Sequence, residues 1–264
     1  MTDYKTKIWL GIGVCTFLGA SDIGHAFADT SMPSAPMVQL AAAEGGEGGE
    51  SGGSGVSVAD EEGFIYMTHL YKMEGVMRAG RELYESGNHE GALAQFNFLL
   101  TLFKGKEGDA LMKLGFERDH VLAEAEQIPQ AITDYEPYEE FLHIYGHVLR
   151  ELDEHGLNVE ATERRAPAFV AAVSADMLQE LAKVYATKDT QKQAMAGGLA
   201  LIVRDLIGWT ASEMRKIDTK AFTKTIMALD ELCDALPISG PYEAEPSKIY
   251  GLSAKVEFAM SKLH

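Results

Sequence analysis

Cysteine and positive charge are scarce in this sequence. Its 264 residues include two cysteines, and 23 Lys and Arg stand against 40 Asp and Glu, which gives a formal net charge of −17. Two cysteines exclude a disulfide scaffold and a multi-cysteine metal site. The shortage of Lys and Arg argues against a nucleic-acid partner and against an anionic membrane surface, because both need clustered positive charge.

The sequence also lacks the short motifs of several enzyme classes. It contains no Gly-x-Ser-x-Gly elbow, no His-Glu-x-x-His zinc motif and no Cys-x-x-Cys pair. The glycine-rich stretch at 44–55 has no accompanying lysine and carries glutamates that would repel phosphate. We therefore predict no catalytic residue and no required cofactor.

The N-terminus has the features of an export signal. Lys5 and Lys7 supply a positive start, Ile8–Ala20 is an apolar run, and the small residues Ala26 and Ala28 form a cleavage site. The apolar run is too short to cross a bilayer core of about 30 Å as a helix. The sequence predicts a signal peptide at 1–28 that is cleaved after Ala28, a periplasmic or secreted protein, and no membrane span after cleavage.

A linker is predicted at residues 29–59. Within it, Glu44–Gly55 contains only Gly, Glu and Ser. Such a segment buries nothing that would offset the entropy of ordering it, and its charges repel one another. We expect a disordered, flexible tether ahead of a folded domain at 60–264.

Residues 60–264 have the apolar spacing of helices and no convincing alternation typical of strands. The sequence predicts an all-α bundle of about eight helices, with a domain sub-boundary near 156–166. The expected segments are 60–86, 89–103, 109–127, 137–155, a segment after 158 that Pro167 interrupts or kinks and that continues to 186, 189–217, 219–236 and 246–263.

The clearest helical periodicity lies near the end of the chain. Phe222, Ile226, Leu229, Cys233 and Leu236 follow one another at spacings of three and four. If the signal is cleaved, Cys233 is the one cysteine of the mature chain, and a single cysteine forms no internal disulfide. Its place in the apolar row predicts that Cys233 is buried and behaves as a small hydrophobic residue.

One segment resembles the centre of a tetratricopeptide helix pair. Residues 79–96 read AGRELYESGNHEGALAQF, with a helix that ends in Tyr, a Gly/Asn turn and an A-L-x-x-F helix. A tetratricopeptide solenoid needs at least about three repeats, and the chain has one. The segment predicts a helical hairpin.

The order of signal, Gly/Glu linker and helical body resembles that of secreted bacterial helical proteins of the imelysin type. That family carries a Gly-x-His-x-x-Glu motif. The nearest segment here, 146–151, reads GHVLRE and departs from the spacing at both ends. No functional residue is carried over from the family.

The helix expected at 137–155 carries His and Glu side chains at intervals of four residues. His143 and His147, joined by Glu140 or Glu151, lie on one helix face and suit Zn²⁺, Cu²⁺ or Fe²⁺. The alternative is an ordinary solvated face, because the apolar residues of this helix form a stripe on its opposite side: Phe141, Tyr145, Val148 and Leu152.

Two Glu-x-x-His motifs, Glu117–His120 and Glu140–His143, resemble those of ferritin-like di-iron bundles. Both fall away from the apolar rows of their helices, whereas di-iron ligands point into the bundle. Coincidence in a Glu-rich chain is the alternative.

Four carboxylates also surround Pro137: Asp134, Glu136, Glu139 and Glu140. They can gather cations, although an acidic first turn ordinarily interacts with the helix dipole.

These features favour a non-enzymatic, exported accessory or scaffold protein that binds a protein partner in the cell envelope. The alternative is a metal-handling protein that uses the His/Glu helix face. An enzyme of a type not covered by the motifs above ranks third.

Overall fold

The computed structural model describes residues 58–159 and 164–263, which belong to one compact unit. The predicted signal peptide and nearly all of the predicted linker lie outside the described residues, and so does part of the predicted sub-boundary near 156–166. The described residues contain helices and no strand, which confirms the all-α class.

Ten helices are present in the described part of the chain. Their bounds are α1 Val58–Glu85, α2 His89–Lys104, α3 Lys106–Met112, α4 Arg118–Ala125, α5 Gln127–Thr133, α6 Tyr138–Gly156, α7 Pro167–Ala186, α8 Thr190–Trp209, α9 Ala211–Asp234 and α10 Pro246–Met260.

The helical hairpin predicted at 79–96 is confirmed. Gly87 has φ 81° just after α1, a left-handed conformation that glycine adopts without steric cost. The Asn88 side chain caps α2 by accepting a hydrogen bond from the Gly91 amide at 2.9 Å. The two helices pack closely, since a Cβ at Gly80 would lie 2.7 Å from the ring of Phe96.

The prediction of a single helix at 109–127 is wrong. The chain forms α3, turns at 113–117, and continues as the short helices α4 and α5. The turn includes Gly115 at φ 85° and buries Phe116, whose ring stacks on Phe103 at 5.9 Å between centroids. Pro129 lies in the first turn of α5, where its missing N–H costs no helical hydrogen bond.

The helix expected at 189–217 bends at Thr210, and α8 and α9 meet there at 96°. The predicted break near residue 218 is present as a kink, because Asp218 has φ −155° and ψ 100° and its carboxylate accepts from the Lys220 and Ala221 amides. Among the described helices none alone is long and apolar enough to cross a membrane. Helices α8 and α9, which are bent relative to each other, are long and apolar enough only when they are counted together, by length and composition.

One hydrophobic core connects all of these helices. Helix α1 packs against α2, α7 and α8, and α10 packs against α7 and α9. The short helices α3, α4 and α5 lie with α6 beside α1 and α2. Helices α2 and α8 are also joined by two hydrogen bonds, since Gln95 Nε2 donates to the Gln191 carbonyl and Gln191 Nε2 donates to the Ala94 carbonyl.

Candidate functional site

The predicted His/Glu face on α6 is exposed at its N-terminal end, whereas His147 and Glu151 are half-buried. The opposite apolar stripe of the helix is buried, as expected. His143 and Glu140 are exposed, and the rings of His143 and His147 lie 4.6 Å apart in a T-shaped arrangement. His147 Nδ1 lies 2.7 Å from Nη2 of Arg150. This ring nitrogen therefore contacts a guanidinium on its own helix.

Glu151 lies beside His120 of α4. Nε2 of His120 lies 3.9 Å from an oxygen of Glu151 and 3.9 Å from an oxygen of Glu124. Glu117 is exposed just ahead of α4 and makes no side-chain capping hydrogen bond. In the residues that the structure describes, no three His, Cys, Asp or Glu side chains are grouped to hold a metal ion. Metal binding by either set stays a prediction.

A different surface combines exposed aromatic rings with carboxylates. It lies on the segment 134–140 between α5 and α6, which reads DYEPYEE and contains no Lys or Arg. Tyr135 is 82% exposed and Tyr138 is 41% exposed, and the four carboxylates of the segment are also exposed. These carboxylates form a visible cluster in the sequence, whereas no pattern predicted a role for the tyrosines between them.

The aromatic rings of this surface form a connected series. Tyr84, at the end of α1, stacks on the buried Phe141 at 4.2 Å and on Tyr138 at 6.0 Å between ring centroids. His89, at the start of α2, lies 4.6 Å from Tyr84, and Tyr135 lies 6.4 Å from His89. We call the solvent-facing members, His89, Tyr135 and Tyr138, the aromatic surface.

Polar contacts fix the position of Tyr138. Its hydroxyl donates a hydrogen bond to the Glu85 carboxylate, which also accepts from Nε of Arg81 at 2.8 Å. These hydrogen bonds lower the pKa of Glu85, and the bond to Glu85 raises the pKa of Tyr138. Glu85 is therefore held in its charged form beside the exposed ring.

Tyr135 adopts a backbone conformation that its side chain disfavours. Its φ is 56°, and Lys188 is the other residue besides glycine with positive φ in the described ranges. The amide of Tyr135 donates to the Ile132 carbonyl and the amide of Glu136 donates to the Ala131 carbonyl, which makes Tyr135 the left-handed residue of a Schellman motif. Glycine usually takes this position. The chain instead has a large aromatic ring there and exposes it.

The turn between α1 and α2 also borders a groove of about 530 Å³. Leu83 and Asn88 line it next to the aromatic residues Tyr84 and His89 in the chain, and Glu90 and Asp189 contribute carboxylates. Acidic groups therefore lie on both sides of this turn. No pattern in the sequence predicted the groove, because it joins residues about a hundred positions apart.

The confirmed part of the tetratricopeptide resemblance is one helical hairpin, and the family resemblance itself stays a prediction, as does that to imelysin-type proteins. Comparison with known proteins gives no match to a family model, to a curated protein or to a solved structure.

Proposed function

We propose that this chain is an exported accessory protein whose helical domain docks a basic segment of a partner protein on the aromatic surface. The exposure of Tyr135 and Tyr138 within an acidic segment carries the proposal. Large exposed aromatic residues are enriched at protein interfaces, where they contribute much of the binding free energy.

The chemistry of the surface favours arginine and lysine side chains. A guanidinium or ammonium group binds the face of a tyrosine ring and also pairs with a nearby carboxylate. Segment 134–140 offers two tyrosines and four carboxylates without a competing cation of its own. An apolar partner would leave these carboxylates desolvated and unpaired, which is costly.

Long-range electrostatics support the same partner. The net charge of −17 attracts a basic segment before contact and repels acidic ones. The acidic groove beside the α1–α2 turn extends the region in which an extended basic segment gains favourable contacts. The predicted Gly/Glu tether would give the domain reach toward a partner in the cell envelope.

Titration calorimetry with defined peptides tests the docking. We expect a synthetic peptide of alternating Arg and Gly to bind the full chain, and a Glu/Gly peptide of equal length to show no binding. The double variant Tyr135→Ala and Tyr138→Ala should lower the affinity for the Arg/Gly peptide about tenfold or more, which is typical of interface hot spots. Phe258, which is 73% exposed on α10, offers a matched control in Phe258→Ala.

A second control separates the site from the overall charge. Two double variants are compared. The variant with Glu136→Gln and Glu139→Gln should weaken peptide binding more than the variant with Glu213→Gln and Glu243→Gln, which removes the same amount of charge elsewhere. Equal effects of the two pairs, or an unchanged affinity in the tyrosine variant, would show nonspecific attraction and contradict the proposal.

Export is tested separately by cell fractionation and mass spectrometry of the full-length product. We expect a periplasmic or secreted protein whose first residue is Asp29. A cytoplasmic product that retains residues 1–28 would contradict this part of the proposal and leave the docking test unaffected.

A further inference from the structure

A cleft of about 300 Å³ lies between α1, α3 and α7, with Leu199 of α8 in its wall. Three lysines and three carboxylates line it: Lys72, Lys106, Lys183, Glu107, Asp176 and Glu180. Their formal charges cancel, although the chain as a whole carries −17. This cleft is therefore a place where the strongly acidic protein presents a balanced set of charges.

Part of the set is satisfied internally. Nζ of Lys72 lies 3.2 Å from an oxygen of Glu180 and 3.6 Å from an oxygen of Glu107. The side chains of Lys72 and Glu107 are only 18% and 15% exposed. This bridge joins α1, α3 and α7 and fixes the shape of the cleft.

The other charged groups are not paired in this way. Asp176, Lys106 and Lys183 make no ion pair with any residue that the structure describes. Burial raises the pKa of Asp176, and the nearby Glu180 raises it further. A ligand that brings a positive group to Asp176 would stabilise its charged form.

Two uncharged polar atoms add to this surface. Thr68 Oγ1 and His69 Nδ1 are buried and form no hydrogen bond within the described residues, and both residues line the cleft. Burial lowers the pKa of His69, so its ring is neutral at pH 7. Buried polar atoms are nearly always hydrogen-bonded, so two that lack a partner in residues lining one cleft favour a ligand there.

We infer that this cleft binds an α-amino acid as its zwitterion. The ammonium group pairs with Asp176, the carboxylate lies toward Lys106 and Lys183, and Thr68 and His69 offer hydrogen bonds. A simple anion would place a second negative charge beside Asp176, and a simple cation would be repelled by the positive charges of Lys106 and Lys183. The volume lies at the lower end of small-molecule sites, which suits a ligand of this size.

Titration calorimetry on the full chain tests the ligand class. L-glutamate and L-alanine are compared with glutarate, which is L-glutamate without the ammonium group, and with ethylamine, which is L-alanine without the carboxylate. Both amino acids should bind, and each analogue that lacks one of the two groups should bind about tenfold more weakly or not at all, because a hydrogen-bonded ion pair is lost. This experiment is independent of the docking proposal.

Variants then locate the site. Asp176→Asn removes the partner of the ammonium group and Lys183→Gln removes a partner of the carboxylate, and each should lower the affinity for L-glutamate about tenfold. Asp230→Asn and Lys192→Gln make the same changes at exposed positions outside the cleft and should leave the affinity unchanged. Melting temperatures of all four variants show whether a lost affinity comes from lost folding.

Three results would overturn the inference. Glutarate that binds as tightly as L-glutamate would identify an anion site, and absence of binding by both amino acids would remove the ligand class. Affinity that survives both Asp176→Asn and Lys183→Gln in folded protein would place the binding elsewhere.

Discussion

Gly198 of α8 lies so close to Gly75 of α1 that a Cβ on Gly198 would come within 2.0 Å of the Gly75 carbonyl oxygen. The approach is tight in both directions, because a Cβ on Gly75 would lie 3.2 Å from the Leu199 amide nitrogen. On another side of α8, a Cβ on Gly197 would lie 2.7 Å from the Leu236 carbonyl oxygen. The two adjacent glycines let α8 pack in direct backbone contact with its neighbours.

Gly198→Ala should therefore destabilise the protein. The added methyl group meets backbone that cannot rotate away, so α1 and α8 must separate, and overpacking of this kind costs about 2 kcal/mol or more. Urea unfolding followed by far-UV circular dichroism gives the free energy of unfolding.

Gly208→Ala on the same helix is the matched control. A Cβ at Gly208 meets no atom within 4 Å. Alanine is the better helix former, so this variant should be neutral or more stable by up to about 1 kcal/mol. If both variants lose the same stability, the contact between α1 and α8 is not the cause.

The features of the fold that depend on a local residue pattern were predicted from the sequence. The Gly/Asn turn at 87–88 and the interruption at Asp218 are set by residues within a few positions, and each was found. The turn around Gly115 was missed, because it is stabilised by the burial of Phe116 against Phe103 of another helix.

The candidate sites were predicted only in fragments. The carboxylates around Pro137 were visible as a local cluster, but the ring series joins residues 84, 89 and 135–141 across three helices. The cleft around Lys72 joins residues more than a hundred positions apart. Contacts over such distances have no local signature, which is why spacing rules drew attention to the His/Glu face of α6 instead.

Glu74 should make stability depend on pH. It is buried in α1, and burial, reinforced by Asp153, raises its pKa to about 8 from an ordinary value of 4.5. Between these values the folded state holds a proton that the unfolded state has lost, so stability falls as pH rises from about 4.5 to about 8. At about 1.4 kcal/mol per pKa unit the fall is roughly 5 kcal/mol.

Glu74→Gln should remove most of that fall and raise the melting temperature at pH 8 relative to the unmodified chain. Glu257, whose pKa burial raises to about 7, is the comparison. Glu257→Gln should reduce the loss of stability only up to about pH 7. Melting temperatures from pH 4 to 9 separate the two, and parallel curves for Glu74→Gln and the unmodified chain would contradict the assignment.

Cys233 should react slowly. It is half-buried on α9, and burial raises the pKa of its thiol to about 11. The reactive thiolate is therefore rare at pH 8, and labelling by a disulfide reagent should be about 100-fold slower than in the same protein unfolded in urea. The measurement uses a Cys15→Ser chain, so that only Cys233 is labelled. Equal rates in the folded and unfolded protein would show an accessible, ordinary thiol.

Replacement of Tyr135 should separate stability from binding. Asparagine tolerates a φ of 56° far better than tyrosine, so Tyr135→Asn should raise the free energy of unfolding by about 0.5–1 kcal/mol. The same change removes an 82% exposed ring and should lower the affinity for the Arg/Gly peptide about tenfold. Lys188→Asn, at φ 57° in the turn between α7 and α8, should give the same stabilisation with unchanged peptide affinity. If the Tyr135→Asn variant binds the peptide as tightly as the unmodified chain, the exposed ring has no part in docking. Docking would then not explain why a tyrosine occupies this strained backbone position.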